Sequence, residues 1–424
     1  MSRARDLANL ADEATGLATD AELSAAVAGI DLTNVQRIVP VDSNISVPGA
    51  PTSVSGTVAT GESSVSFVAP TSNGGSTILS YTVISSPGNI KKSGTSSPIV
   101  ITGLTNGTAY TFTVKAHNIA GSSVASSPSS SVTPNTPINI DYLVVAGAGG
   151  GGSGNAGGGG GGAGGMRCTV TATGGGGTLE SALSLNPNTN YTVTVGGGGA
   201  GRTGSVGNGT SGSDSIFSTI TSTGGGYGAN GDNTGGNGGS GGAAGRGATN
   251  TVSTGGTGTA NQGYAGGSNT NDSGNQAGGG GGGASAVGAN ATGASTGGQG
   301  GNGVATSITG SSVTYAGGGG GAGFYNTAYG TTSNGANGGT GGGATANASG
   351  TTNTGGGGGG GGGSAGGSGR LDGGSGGSGV VILRWLTSAG SITVGAGLTA
   401  DATGTDGSYS YKKFTAGTGN VSWA

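Results

Sequence analysis

The spacing of hydrophobic residues divides the chain into stretches of different kinds, and the first stretch has helical spacing. Leu23, Val27 and Ile30 recur three or four residues apart, which places them on one face of a helix. A capping-box pattern that begins at Thr19 precedes them. We therefore predict a short N-terminal helix within an arm formed by residues 1–47. Because so short a helix cannot bury its apolar stripe alone, the arm should pack against copies of itself or a larger assembly.

Residues 48–133 have the alternating spacing of β-strands. Apolar side chains occupy every second position in several short runs, for example at Tyr110, Phe112 and Val114. Turn signals such as Asn106 followed by glycine separate these runs. The pattern predicts a β-sandwich of short strands.

One run in this stretch is similar to a known family. Residues 101–118, ITGLTNGTAYTFTVKAHN, resemble a fibronectin type III domain. The resemblance implies that Leu104 and Tyr110 form the corner in which a tyrosine hydroxyl bonds to upstream backbone. Phe67 stands where the family usually has a core tryptophan, which reduces the core without changing the fold. Such modules are mostly spacers or binding platforms, so the resemblance assigns no function. His117, the one histidine of the chain, is interpreted as a strand-end residue and not as a metal ligand.

Glycine dominates residues 147–379, which follow a two-proline linker at residues 134–139. The chain has 111 glycines, and most of them lie in this tract. With few side chains to bury, the tract can be ordered only if backbone contacts offset an entropy cost of about 1–2 kcal/mol per residue. Extended helices of three residues per turn, packed side by side, meet this condition because glycine lets neighbouring backbones approach closely. A loose three-residue rhythm, as in GGSGGSG at residues 373–379, favours this polyglycine II arrangement.

Three other interpretations of the glycine tract compete with this one. A flexible Gly/Ser linker stays open as the main alternative, although strand-like runs such as residues 191–195 and 311–315 speak against it. Collagen requires a strict Gly-X-Y repeat and abundant proline, whereas the chain has 10 prolines. Glycine spacings typical of phosphate-binding loops also occur, but none precedes a helical pattern.

Hydrophobic runs flank the glycine tract on both sides and predict a sheet. Residues 142–145 (YLVV) precede the tract, residues 380–383 (VVIL) follow it, and residues 191–195 (YTVTV) alternate. We expect these runs to form a small β-sheet that holds both ends of the tract, giving a glycine-rich domain at residues 140–386. Residues 387–424 are predicted to form a short C-terminal β unit, too small to bury a core alone. The predicted fold class is therefore mainly β and multidomain.

Composition and charge exclude several classes of function. Charged residues make up 7% of the chain and the net charge is −3, so no basic face is offered to nucleic acid. No apolar run approaches the ~20 residues that span a bilayer. The start of the chain lacks the apolar core of a secretory signal, so we expect synthesis without export. Cys168 is the single cysteine and has no thiol partner, and paired carboxylates are absent from the glycine tract. We expect no enzyme activity, no cofactor and no metal site.

Aromatic side chains are the candidates for ligand contact, because little else on a glycine scaffold offers contact area. Rings can stack on sugar faces, and amides can bond to sugar hydroxyls. The candidates are one dense cluster and two isolated tyrosines: Phe324, Tyr325, Asn326, Tyr329, Tyr227 and Tyr264. The alternative is that these residues cap the ends of glycine helices and are buried. The sequence leaves both interpretations open.

Three motifs of the glycine-rich domain resemble a recurrent domain of tail-fibre and adhesin proteins of tailed bacteriophages. They are YLVVAG at residues 142–147, NYTVTVG at residues 190–196 and GVVILRW at residues 379–385. The opening MSRARDL is similar, more weakly, to the start of virion structural proteins of such phages. In phage adhesins of this kind, stacked polyglycine helices carry receptor-binding loops.

The resemblance implies a tail-fibre or receptor-binding protein that attaches a virion to its host. The expected partners are other virion proteins, bound through the N-terminal arm, and a host cell-surface glycan or outer-membrane protein. A homotrimer is expected, located in the virion and made in the host cytoplasm without a signal peptide. A non-adhesive capsid or neck decoration is the alternative. An ice-binding or bacterial surface protein built on glycine helices is a third class, but such proteins normally carry an export signal.

Overall fold

A computed structural model describes residues 45–247, 251–269, 276–292, 296–325, 335–364 and 371–424. The chain forms two compact units that divide between Pro134 and Asn135. The predicted N-terminal helix lies outside the described residues. Within the described part the structure is nearly all β, and the one helical element is a 3-10 turn at Thr387–Ala389. The predicted class, mainly β and multidomain, is confirmed.

The first unit is a β-sandwich of two antiparallel sheets. One sheet has the order β1-β2-β5 and the other the order β4-β3-β6-β7. The strands are β1 (Thr52–Ala59), β2 (Glu62–Val68), β3 (Ser80–Ser86), β4 (Lys91–Gly94), β5 (Ile99–Thr102), β6 (Thr111–Asn118) and β7 (Gly121–Ser122). Alternate residues of β6 point inward, with Phe112, Val114 and Ala116 fully buried. The period-two pattern of the sequence therefore marks the core face of each sheet.

The predicted tyrosine corner is present in this sandwich. The backbone N–H of Thr105 donates to the hydroxyl of Tyr110 at 3.1 Å, and both Tyr110 and Leu104 are buried. Phe67 occupies the core beside Tyr81, with ring centroids 4.7 Å apart. The substitution of phenylalanine for the usual tryptophan leaves the fold intact, as expected.

The last segment of the sandwich, residues 123–132, pairs with β6 in an unusual way. Ser123, Ser126 and Ser129 each pair with one residue of β6: the serine N–H donates to that residue's carbonyl, and the serine hydroxyl accepts from its N–H. The segment thus advances three residues for every two on β6. This edge is not a continuous strand, which makes it a poor template for pairing with another chain.

The second unit is organised around an 11-stranded sheet with the main order β10-β8-β18-β22-β11-β12-β13. Its strands include β8 (Ile138–Val145), β9 (Met166–Cys168), β10 (Leu183–Leu185), β11 (Tyr191–Val195), β12 (Ser215–Phe217), β13 (Ile220–Ser222) and β18 (Val380–Leu386). The C-terminal strands of this sheet are β19 (Ile392–Val394), β20 (Leu398–Ala400), β21 (Gly404–Asp406) and β22 (Tyr409–Trp423). Two small pairs stand apart from it: β14 (Val304–Thr306) with β15 (Val313–Tyr315), and β16 (Phe324–Tyr325) with β17 (Gly363–Ser364).

The central strands β8 and β18 are buried on both faces of the sheet. Tyr142 and Val144 pack into one apolar cluster with Trp385, Phe414 and Trp423. The alternate residues of β8 and β18 pack into a second cluster on the opposite face: Leu143, Val145, Val380 and Ile382. Continuous apolar runs such as YLVV and VVIL are typical of strands with two covered faces.

The C-terminal residues enter the middle of this sheet. Strand β22 pairs through residues 409–414 with β18 and through residues 417–421 with β11, both antiparallel. Strands β19, β20 and β21 pair with β22 in turn. Residues 387–424, which the sequence analysis set apart as a separate unit, thus share one sheet and one core with the glycine-rich residues.

The glycine tract forms a bundle of extended segments in which residues 158–165 are the central one, here called the hub segment. Successive N–H groups of the hub donate to three neighbouring segments in turn, so every third N–H donates to the same segment. Gly158 and Gly161 donate to Gly361 and Gly358, at 2.9 and 2.8 Å. Carbonyl groups of the hub accept from three more neighbours, so six segments surround it: 355–361, 223–229, 279–282, 146–152, 240–246 and 319–322. This three-residue periodicity with six neighbours is the hydrogen-bond pattern of polyglycine II, and it confirms the predicted arrangement.

The glycines of the hub are required by close approach between backbones. A Cβ atom at Gly161 would lie 2.0 Å from the carbonyl oxygen of Gly149, and one at Gly158 would lie 2.0 Å from that of Gly152. Ala163 is the exception within the hub, because its methyl group is buried in the apolar cluster against the sheet. Within the hub, a side chain larger than hydrogen is therefore found only where the bundle meets the sheet.

Candidate functional site

The two ends of the bundle differ in what surrounds them. At one end, Gly165 leads directly into β9 and the sheet, and its carbonyl accepts from the N–H of Ala146 at 3.0 Å. At the other end, where the hub begins, two isolated β-bridges join neighbouring segments. One joins Gly157 to Arg246, and the other joins Ala277 to Gly323. Here the short pair β16 and β17 also closes the bundle. We call this second end the distal end.

A buried ion pair holds the distal end together. Arg246 is fully buried, and its guanidinium donates to Asp232 Oδ1 at 2.9 Å. The same carboxylate oxygen accepts the N–H of Gly247, also at 2.9 Å. Nearby, the Asn269 side chain accepts from the N–H of Ser253 at 2.7 Å and donates to the carbonyl of Gly245 at 2.8 Å. These contacts fix the chain segments that enter and leave the distal end.

The structure does not bring the predicted contact residues together. Phe324 is half-buried in β16 at the distal end. Tyr227 lies on the flank of the bundle with its ring against Gly236, and Tyr264 lies near the sheet with its hydroxyl against Gly176. Tyr325 is described through its backbone alone, and Asn326 and Tyr329 lie outside the described residues. The described members are thus spread along the length of the bundle.

A polar pocket of about 260 Å³ lies near the sheet end of the bundle. Its lining comes from three separate segments: Arg167 of β9, Thr178 and Glu180 of the following loop, and Ala260, Asn261 and Gln262 of a turn. Sequence reasoning missed this pocket. The signal that could have found it is the pair Arg167 and Glu180, two charged residues in a region that has few.

Arg167 and Glu180 form a two-pronged ion pair in the pocket. The Nε of Arg167 donates to Glu180 Oε1 at 2.9 Å, and Nη2 donates to Oε2 at 2.7 Å. The hydroxyl of Tyr142 donates to the same Oε2 at 2.6 Å. Burial, together with the hydrogen bond to the Glu180 carboxylate, raises the pKa of Tyr142 well above its ordinary value. The hydrogen bond to Glu180 raises the pKa of Arg167, so the guanidinium stays charged.

The histidine and the cysteine, two residue types that often act in catalysis, make structural contacts here. The Nε2 and Nδ1 atoms of His117 lie 2.8 Å from Thr82 Oγ1 and 2.7 Å from Ser122 Oγ, as expected of a strand-end histidine with both nitrogens occupied. Cys168 is buried, and burial raises the pKa of its thiol. Among the described residues, no group of three or more acidic, histidine or cysteine side chains is arranged to hold a metal ion. The described part of the chain also has no helix of the length and hydropathy that a membrane span needs.

Each of the two units matches a different known domain family. Residues 123–386 match the model of the glycine-rich domain family, and residues 49–133 match the fibronectin type III domain. Since the first match covers more than half of the chain, the chain belongs to the glycine-rich domain family. The comparison with curated proteins gave no match.

Solved structures similar to this chain cover about a fifth of it. The titin kinase with its flanking domains is 26% identical over 21% of this chain and 17% of its own, with a TM-score of 0.20. The twitchin kinase region from C. elegans is 23% identical over 21% of this chain and 17% of its own, with a TM-score of 0.20. Domains FN1–FN3 of chicken CNTN1 are 17% identical over 23% of this chain and 47% of their own, with a TM-score of 0.19. This chain thus spans less than half the length of each of these structures.

Proposed function

We propose that the chain is a tail-fibre or receptor-binding protein of a tailed bacteriophage and mediates attachment to the host surface. The observation that carries the proposal is the asymmetry of the polyglycine bundle. One end is fused to an apolar sheet, while chain turns held by the Arg246–Asp232 pair gather at the other. A rigid scaffold that presents turns at one end suits recognition of an external surface.

The motifs at residues 142–147, 190–196 and 379–385 support the same proposal through their resemblance to phage adhesins. In this proposal the N-terminal arm binds other virion proteins and forms a homotrimer, and the fibronectin type III unit is a spacer. The partner on the host is a surface glycan or an outer-membrane protein, contacted at Phe324 and the neighbouring turns. No nucleic acid is bound, no reaction is catalysed and the protein resides in the virion.

Immunogold labelling tests the position on the particle, and adsorption inhibition tests the function. Antibodies raised against the purified full chain should label the tail or fibre of virions that contain it, and purified chain should slow their adsorption to host cells. Phe324→Ala should weaken this inhibition, whereas Val313→Ala, at a partly exposed strand position outside the distal turns, should not. Labelling of the capsid or neck without any inhibition would instead favour the decoration alternative.

A further inference from the structure

The polar pocket near the sheet end is built as a fixed site. The N–H of Met166 donates to the carbonyl of Gln262 at 3.1 Å, and the N–H of Thr223 donates to Gln262 Oε1 at 2.7 Å. These bonds tie the turn to β9. The ion pair with Arg167 holds Glu180 on the opposite wall. The pocket therefore keeps its shape without a ligand, which lowers the entropy cost of binding one.

The pocket offers donors and acceptors but no net charge. Arg167 and Glu180 cancel each other, and their side chains are 28% and 18% exposed. Beyond the pair, Arg167 Nη1 has only a long contact, 3.4 Å, to the carbonyl of Thr221 among the described residues. No described residue bonds to the Thr178 hydroxyl, the Asn261 side-chain amide or the Gln262 amide nitrogen. These groups remain available to a ligand at the pocket wall.

A neutral, hydroxyl-rich ligand fits these properties best. An anion would meet the Glu180 carboxylate and a cation would meet the Arg167 guanidinium, whereas a hydroxyl both donates and accepts. The volume of about 260 Å³ lies below the ~300–1,000 Å³ of pockets for drug-sized ligands, so it suits one sugar ring. Ala260 supplies a small apolar wall for the C–H face of such a ring.

We propose that this pocket binds a single neutral monosaccharide unit, with Arg167, Glu180, Asn261 and Thr178 bonding to its hydroxyls. The site is separate from the distal turns and lies at the other end of the bundle. The choice of a sugar among hydroxylated ligands rests on the proposed role in surface attachment. Its geometry, however, does not depend on the distal end.

Saturation-transfer NMR on the purified full chain tests the site directly. The probes are methyl glycosides of galactose, glucose, mannose and their N-acetylated forms, with sialic acid and glucosamine as charged comparisons. Asn261 adopts a positive φ of 59°, so Asn261→Gly removes its amide without backbone strain. Thr178→Val removes the hydroxyl at an exposed position and keeps the shape. Asn89→Gly, at an exposed asparagine with φ 48° in the other unit, is the matched control.

At least one neutral glycoside should show transfer, and each pocket variant should weaken its binding by about three- to tenfold, the loss of one hydrogen bond. The control should bind as the wild type does. Absence of transfer from every neutral glycoside, stronger binding of the charged sugars, or binding unchanged in both pocket variants would overturn the site. If sugar binding fails while adsorption inhibition persists, the pocket proposal is wrong and the proposed attachment function stands. Sugar binding without any adsorption inhibition would instead count against the attachment function.

Discussion

Gly161, in the middle of the hub segment, tests whether the bundle depends on close approach between backbones. Its N–H donates to Gly358, its carbonyl accepts from Gly319, and a Cβ atom would lie 2.0 Å from the carbonyl oxygen of Gly149. Gly161→Ala must therefore push neighbouring segments apart, and we expect it to lower the free energy of unfolding by about 3 kcal/mol or more. Urea titration followed by tryptophan fluorescence measures this, because both tryptophans, Trp385 and Trp423, are buried in the glycine-rich unit.

Gly197→Ala is the matched control for this substitution. Gly197 lies in the same unit, but a Cβ atom there would meet nothing within 4 Å. Its replacement should be neutral or stabilise the fold by up to ~1 kcal/mol through the unfolded chain. Equal effects of the two substitutions would show that glycine is present for flexibility and not for close packing.

Tyr110 tests the corner of the fibronectin type III unit. Tyr110→Phe removes the hydroxyl that accepts the Thr105 N–H and should destabilise this unit by about 1 kcal/mol. Tyr81→Phe, at a buried tyrosine without a hydrogen bond from its hydroxyl among the described residues, should cost less. Scanning calorimetry of the full chain should show the shift in one transition, with the tryptophan-monitored transition of the other unit unchanged. A Tyr110→Phe shift no larger than that of Tyr81→Phe would contradict the assignment.

The buried Tyr315 should make the stability of the glycine-rich unit depend on pH in the alkaline range. Burial raises the pKa of Tyr315 to about 12, and it raises that of Tyr142 as well. The pKa of each tyrosine is higher in the folded protein than in the unfolded chain, where it is about 10. The stability that the two tyrosines contribute is therefore complete below about pH 10. It is lost as the pH rises further through the folded values. Unfolding titrations from pH 8 to pH 11.5 should show this loss, and Tyr315→Phe should reduce it. A stability that rises above pH 10 would contradict the sign.

At the scale of elements, strand β22 places the C-terminal residues within the glycine-rich unit. It pairs with both β18 and β11 and contributes Phe414, Val421 and Trp423 to the cluster that contains Trp385. Deletion of residues 387–424 would remove the hydrogen-bond partner from one edge of β18 and of β11, would separate the two halves of the sheet and would expose the cluster. We therefore expect the shortened chain to lose the cooperative, tryptophan-monitored transition. A shortened chain that unfolds with the wild-type midpoint would show that the C-terminal strands are dispensable.

Amide exchange tests the polyglycine bundle at the scale of the whole molecule. All eight N–H groups of the hub segment donate to neighbouring backbone carbonyls at 2.8–3.1 Å. The hub is surrounded by other segments, so its amides should exchange only when the unit unfolds, as slowly as those of β18. Hydrogen exchange with mass spectrometry measures this. Exchange at the rate of a random peptide would rule out an ordered bundle.

The oligomeric state is the second property of the whole molecule that can be measured. Under the proposed function, the N-terminal arm assembles the chain into a trimer. Light scattering should then give the mass of a trimer for the full chain and of a monomer after removal of residues 1–30. A monomeric full chain would separate the proposed attachment role from trimer formation.

Local patterns in the sequence were sufficient for much of this architecture. The fibronectin type III unit was predictable because alternation and the corner at Leu104 and Tyr110 are encoded within a few neighbouring residues. The polyglycine packing was predictable because a tract with so few side chains can be ordered only through its backbone. The strands β8 and β18 were visible as apolar runs, since both of their faces are buried.

Only the tertiary structure decided which distant segments meet. The pairing of β22 with both β18 and β11 depends on backbone hydrogen bonds, which carry no signature of their partner in the sequence. The same holds for the pocket, where Arg167, Glu180 and Asn261 come from three separate segments, and for the scattering of the aromatic candidates along the bundle. Composition thus determined that the backbone forms the interior of the glycine bundle. The pairing of its segments determined where side chains are left to bind anything.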